Sequence, residues 1–207
     1  MEDLQNQNVS VFLEKARKDP HPGIIDFAET VEPLSLFLKD QEIRGDVLIA
    51  GHGGFVPERI IVATPDSGFD VIKPEVASLT LIDDESSGDA EIYFSKADGK
   101  IKAQACSLQE LADQTVEPKY DVILFFRINN LQEQLEEGLL GDLYRILRPG
   151  GHLLGSGGFN SKEEARKLME SKFKVESLVS LPNPDYSGYP YNAVHLGFKL
   201  QKPSDNL

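Results

Sequence analysis

YDVILFFRINNLQEQLEEGLLGDLYRILRPGGHLLGSGGF, residues Tyr120–Phe159, reads as an apolar strand, an amphipathic helix, a Pro-Gly-Gly turn and a second strand. The first strand is YDVILFF (Tyr120–Phe126), apolar enough to be buried on both faces, as a central parallel strand must be. Leu131, Leu135, Leu139, Leu143 and Leu147 recur every four residues, with Glu133, Glu136, Glu137 and Asp142 off that line. This pattern predicts a helix with one buried stripe. RILRPGG (Arg145–Gly151) ends it, because Pro149 cannot continue a helix and the two glycines let the backbone reverse. HLLGSGGF then returns to the sheet.

Working outward, DVLIAGHGG (Asp46–Gly54) is a buried strand running into a glycine turn. LTLIDD (Leu79–Asp84) is a strand ending in acids, KIKAQACS (Lys100–Ser107) a third strand, and LQELADQ a short helix or turn. Between the first two strands, residues 55–78 form an insertion in which Pro57 is able to open a short helix over ERIIVA, followed by loop. Glu85–Lys96 is a further helical candidate, weakened by Ser86-Ser87-Gly88. After the fifth strand, Ser161 is an N-cap with Glu164 three residues on, and Ala165, Leu168 and Met169 form the apolar stripe of a helix over 161–171. FKVESLVSL and AVHLGFKL then read as two closing strands joined by the PNPDYSGYPYN loop. Ahead of all this, Val9–Lys18 and Ile24–Leu38 read as helices, the second interrupted at Pro33. The predicted division is a helical N-terminal cap over 1–42 and one α/β domain over 43–207. The fold expected is α/β, a doubly wound, mostly parallel, seven-stranded sheet with an antiparallel terminal strand.

The stretch Tyr120–Leu154 resembles the second half of the class I, Rossmann-like S-adenosylmethionine-dependent methyltransferase fold. In that fold an apolar strand with an early aspartate, a leucine-rich helix and a Leu-Arg-Pro-Gly-Gly turn follow one another. An adjacent antiparallel pair at the end separates that sheet from other doubly wound folds.

The chain has 207 residues, enough for one domain with a core of its own. Its net charge of −13, from 21 basic and 34 acidic residues, argues against nucleic acid as the main partner, since phosphate neutralisation needs clustered Lys and Arg. It equally disfavours an anionic membrane surface. A small molecule or a protein fits better, including a protein partner met through the acidic surface. The one cysteine, Cys106, excludes an internal disulfide and a cysteine metal cluster. No apolar run is long enough to span a bilayer and the polar start is no signal peptide, so a soluble cytoplasmic protein is the expectation.

Open α/β sheets bind ligands at the carboxyl ends of their strands, where strand order reverses. Here those are the segments after Ala50, Asp83, Cys106 and Phe126. The resemblance implies an S-adenosylmethionine site there. Gly51, His52, Gly53 and Gly54 align with the glycine-rich first motif, Asp83 with the acid that bonds the ribose hydroxyls, and Ser107 with an acid that usually contacts the adenine amine. Phe126 and Arg127 face the place of methyl transfer, and Tyr186, Tyr189 and Tyr191 lie on a loop suited to substrate. Plainer roles exist for each: a tight turn for the glycines, a helix cap for Asp83, a solvated His52, an ion pair for Arg127, a small filler for Cys106 and loop packing for the tyrosines.

The chain also departs from the family pattern. Ile49 stands where an acid precedes the first glycine, Phe55 replaces the last glycine, Ser107 replaces the third-motif acid, and the Gly53–Asp83 interval is long. Two functions follow: a methyltransferase acting on a small molecule or a protein, or a catalytically inactive methyltransferase-like domain that serves as an interaction scaffold. The latter is similar to the amino-terminal domain of anamorsin, on the strength of Arg145–Gly151 and the strand layout, although no cysteine-rich tail is present. A nicotinamide-binding Rossmann protein fits less well, because Gly51-x-Gly53 lacks the third spaced glycine.

Overall fold

The computed structural model describes residues 37–38, 41–50, 72–83, 100–126, 130–181 and 194–204, with Asp83, Ala103 and Phe126 described as backbone. Its strands are β1 (Gly45–Ala50), β2 (Val76–Asp83), β3 (Ile101–Ala105), β4 (Tyr120–Phe126), β5 (Leu147–Phe159), β6 (Lys174–Ser180) and β7 (Val194–Gln201). They form one sheet in the order β3-β2-β1-β4-β5-β7-β6. The first five are parallel, and β7 runs antiparallel to both β5 and β6. This is the doubly wound sheet with a reversed final strand that the sequence predicts. The helices predicted over Val9–Lys18 and Glu85–Lys96, the body of the one over Ile24–Leu38, the 55–71 part of the insertion and the 182–192 loop lie outside the described residues. Phe37 and Leu38, at the end of the second, are helical, and Leu38 is buried.

Strand residues alternate between two cores. Leu48, Ala50, Ile123, Phe125, Leu153, Phe198 and Leu200 belong to one, which the helices cover. Val47, Ile49, Leu79, Leu81, Val122, Leu124 and Leu154 belong to the other, with Leu38, Ile43 and Ile72. Burial on both faces explains why β1 and β4 read as continuous apolar runs rather than alternating ones.

The helical side is built from α1 (Leu108–Gln114), α2 (Leu131–Gln134), a π turn (Leu135–Leu139), α3 (Leu140–Ile146) and α4 (Lys162–Glu170). The five leucines of the predicted stripe are all buried. A row spaced by four drifts off one face of a 3.6-residue helix by about 40° per step. The run is not one continuous helix: it kinks at Gly138, whose backbone is non-helical at φ 133°, and Leu147 already belongs to β5, so these breaks keep the stripe on the sheet. Among the described residues no helix is long and apolar enough to cross a membrane.

The Pro-Gly-Gly segment is not a simple loop ahead of β5. Tyr120 pairs with Leu147 and Val122 with His152, so Arg148–Gly151 bulges out of the ladder between them. Gly150 takes φ 78° at this point. Its N–H donates to the Lys202 carbonyl at 3.0 Å, and the Lys202 N–H donates to Gly151 at 2.9 Å. The Lys202 ammonium donates to the Tyr144 and Leu147 carbonyls, both at 2.8 Å, closing the C-terminus of α3.

Candidate functional site

The sheet order reverses between β1 and β4: the chain moves from β1 outward to β2 and β3, then returns to the far side of β1. Backbone register makes the tips nearly flush there. Ala50, the last residue of β1, pairs with Ile82 on one side and Phe125 on the other. Asp83 and Phe126, the next residues of those neighbours, therefore flank the point where the chain leaves β1. Asp83 in turn pairs with Ala105, the end of β3. Four strand ends thus meet at the topological switch point, the place where sheets of this kind form a crevice. Of the predicted site residues, this register brings Asp83 and Phe126 together by backbone. Gly51, His52, Gly53, Gly54, Arg127, Tyr186, Tyr189 and Tyr191 lie outside the described residues, as do the side chains of Asp83 and Phe126.

Ser107 is fully described, and it caps α1. Its hydroxyl accepts from the Glu110 N–H at 3.2 Å and donates to Glu110 Oε2 at 2.9 Å, while its own N–H donates to the same oxygen at 2.8 Å. This is a reciprocal capping box. The bonds from the Ser107 backbone and hydroxyl hold the Glu110 carboxyl below its ordinary range. Ser107 is therefore committed to its own helix, and the charge it contacts is the exposed Glu110 carboxylate three residues on. Cys106 is half-buried against the helix-side core; burial, then the nearby Glu110 charge, raises its thiol. Ile49, where the resemblance led to an acid, is 1% exposed and part of the second core.

Beyond β4 the edge continues on β5 and β7. Phe126 pairs with Ser156, Ser156 with Gly197 and Gly158 with His195. Gly155 and Gly157 allow close packing: a Cβ on Gly155 would lie 2.7 Å from the Phe125 carbonyl oxygen, and one on Gly157 would overlap the Leu131 side chain. Gln132 ties the same corner together, accepting from the Asn160 N–H at 2.8 Å and donating to Glu136 at 2.7 Å. Ser156 and His195 were not singled out by sequence reasoning. A polar residue inside the glycine run of a buried strand was the available signal for Ser156; nothing comparable marks His195.

At the opposite edge the Arg148 guanidinium bonds Asp121 at 2.6 Å and Asp46 at 2.8 Å. Asp121 also accepts from the Asp46 N–H at 2.7 Å, and Asp46 accepts from the Ser78 hydroxyl at 2.5 Å. The Ser78 bond, with help from Arg148, keeps the Asp46 carboxyl below its usual range against the opposing effect of burial. All four groups are mutually satisfied, so this cluster joins β1, β2, β4 and β5.

No protein-family model matches the chain, and no curated protein matches it. Solved structures do. The StiE O-MT fragment 961–1257 superposes with a TM-score of 0.62 at 14% identity, over 93% of this chain and 81% of that one. This chain has the class I methyltransferase-like fold. The 1,6-didemethyltoxoflavin-N1-methyltransferase of Burkholderia thailandensis, solved with its substrate and S-adenosylhomocysteine, gives 0.58 at 16% identity over 96% and 90%. SpnF, a [4+2]-cyclase, gives 0.56 at 10% identity over 86% and 81%. A methyltransferase-like fold is therefore shared with a protein named for a different reaction, and function has to be argued from the site.

Proposed function

We propose that this chain is an S-adenosylmethionine-dependent methyltransferase acting on a small molecule or a protein. The observation that carries the reading is the flush meeting of β1, β2 and β4 at the switch point, with Asp83 beside the exit of β1 and a glycine sequence, Gly51 to Gly54, next along the chain. A carboxylate residue at the tip of β2 suits a ribose diol, because it accepts two O–H bonds at once. Backbone without side chains after β1 suits close approach of the methionine part. The base end fits less directly, since Ser107 is occupied by its capping box, but Glu110 Oε1 has no partner among the described residues and can accept an amine.

When bound, the cofactor supplies an electrophilic methyl group on a sulfonium. The chain's share of the work is alignment and exclusion of water, so no dedicated triad is needed. Phe126 and the segment after it would border the methyl position.

Titration calorimetry with S-adenosylhomocysteine tests this. The expected result is micromolar binding, weakened about 10-fold or more in Asp83→Ala through loss of charge-assisted hydrogen bonds. No binding at millimolar ligand would support the second reading, a non-catalytic interaction domain. That reading is favoured by two observations: Ile49 buried where an acid is expected, and Ser107 spent on a helix cap.

A further inference from the structure

Among the described residues β6 pairs with β7 alone, at the edge of the sheet. Its register slips between Val175 and Ser177, which pair with the successive residues Leu200 and Lys199, so Glu176 is the extra residue of a bulge. The slip has a packing reason. Val175 packs against the helix-side core and Leu178 lies within it, a three-residue spacing that strict alternation forbids. It also turns Glu176 toward β5 and β7. Glu176 Oε2 stands 3.2 Å from Lys199 Nζ and 3.4 Å from His152 Nε2, and Oε1 stands 3.7 Å from Lys174 Nζ.

This cluster spans three strands, with His152 on β5, Lys199 on β7, and Glu176 and Lys174 on β6. The side chains of His152, Glu176 and Lys199 are only 28%, 25% and 23% exposed, whereas Lys174 is well solvated and counts for less. One carboxylate oxygen therefore faces two nitrogen groups in a partly shielded place. While His152 is neutral, the Glu176 and Lys199 charges balance and the imidazole donates through Nε2–H. A proton on His152 sets a second cation beside Lys199. The other strands offer it no free counter-charge among the described residues: His152 pairs with Val122 on β4 and Gln201 on β7, and the neighbouring Asp121 is held by Arg148. Burial, then Lys199, lowers the His152 pKa against the pull of Glu176. Against burial, Lys199 and then His152 hold the Glu176 carboxyl below its usual range, so it stays charged while His152 titrates.

We propose that His152 is a pH-sensitive latch on the edge strand: neutral, it helps Glu176 tie β6 to β5 and β7, and protonated, it crowds Lys199 and favours release of β6. The folded imidazole takes up its proton less readily than an unfolded one. The stability it lends is therefore complete above about pH 6.5 and is lost as pH falls through the lower folded value. β6 responds first because it is bonded on one side and its ladder is already interrupted, so opening it costs less than opening the central strands. Release gives the imidazolium access to water. His152 pairs near the start of β4, away from the carboxyl edge, so the latch works whether or not the chain binds a nucleoside.

Amide hydrogen exchange followed by NMR on the full chain, at about pH 7.5 and about pH 5.5, tests the latch. Protection factors, which remove the intrinsic pH dependence of exchange, should fall at residues 175–180 relative to β4 on acidification. In His152→Gln that relative loss should vanish. The imidazole signal missing from this variant identifies His152, which should titrate below the ordinary histidine value of about 6.5 in the wild type. Lys199→Met should move that titration upward, because a repelling charge is gone. Should the glutamine variant fail to fold, Lys199→Met carries the test: one imidazole titration must rise and the acid-induced loss in β6 must shrink. A β6 loss that persists in His152→Gln, an equal loss in β4 and β6, an imidazole titrating at or above about 6.5, or no change in Lys199→Met would overturn the latch.

Discussion

Tyr120 shows how much one polar atom decides. Its ring is fully buried at the start of β4, and its hydroxyl has no hydrogen-bond partner among the described residues. Burying a hydroxyl unpaired costs about 1–3 kcal/mol. Tyr120→Phe keeps the ring and removes that cost, so its midpoint in urea should rise, by about 1 kcal/mol of stability. A fall of similar size would mean that the hydroxyl is paired after all. This was not legible in the chain, because a sequence gives residue types and spacing but not which hydroxyls find partners. Ser107 is the converse case. The capping pair Ser107–Glu110 can be recognised from a Ser-x-x-Glu spacing, yet alignment to a family motif directed attention to a ligand contact instead.

At the level of elements, most of the architecture could be read from the chain. Continuous apolar runs gave β1 and β4, and four-residue leucine spacing gave the helical stretch after β4. The kink at Gly138 within it is not specified by the spacing, although strict spacing by four is itself a sign that a pure α-helix would rotate the stripe away. The residues of Arg148–Gly151 mark a terminating turn; that the segment also bulges from the β4–β5 ladder depends on pairing register, which local sequence does not specify. The contact between α2 and β5 is sharper than any pattern suggests. Leu131 is buried directly against Gly157, and an added methyl would crowd its Cβ at 3.1 Å as well as the end of its side chain. Gly157→Ala should therefore destabilise the protein by about 1–3 kcal/mol, as overpacking does, measured by chemical denaturation. A change under about 0.5 kcal/mol would show that the helix shifts freely on the strand.

Across the whole molecule, the two edges of the sheet have different tasks. One is closed by Arg148, Asp121, Asp46 and Ser78, which tie four strands together. The folded-state pKa of Asp46 lies below its ordinary value. Its contribution to stability is accordingly complete above the unfolded value of about 4 and is lost as pH falls through the lower folded value. Asp46→Asn should be less stable than wild type at neutral pH, and the gap should narrow on acidification below about pH 4. A gap that stays constant down to about pH 2 would assign the effect to packing instead. The other edge carries the strand tips, Asp83 and, on β5 and β7, Ser156 and His195. The position of that edge was legible from strand order, whereas its side-chain chemistry was legible only in part, because the family motifs it was compared with are altered at Ile49, Phe55 and Ser107.

Amide chemical-shift mapping by NMR during titration with S-adenosylhomocysteine tests most directly whether the carboxyl edge holds a nucleoside. Perturbations are predicted at residues 50–54, at Asp83, at Cys106 and Ser107, and at Phe126, with Gly45, Gly150 and Lys202 on the far edge unmoved. Silence at every amide, or shifts gathered around the Arg148 cluster, would contradict it.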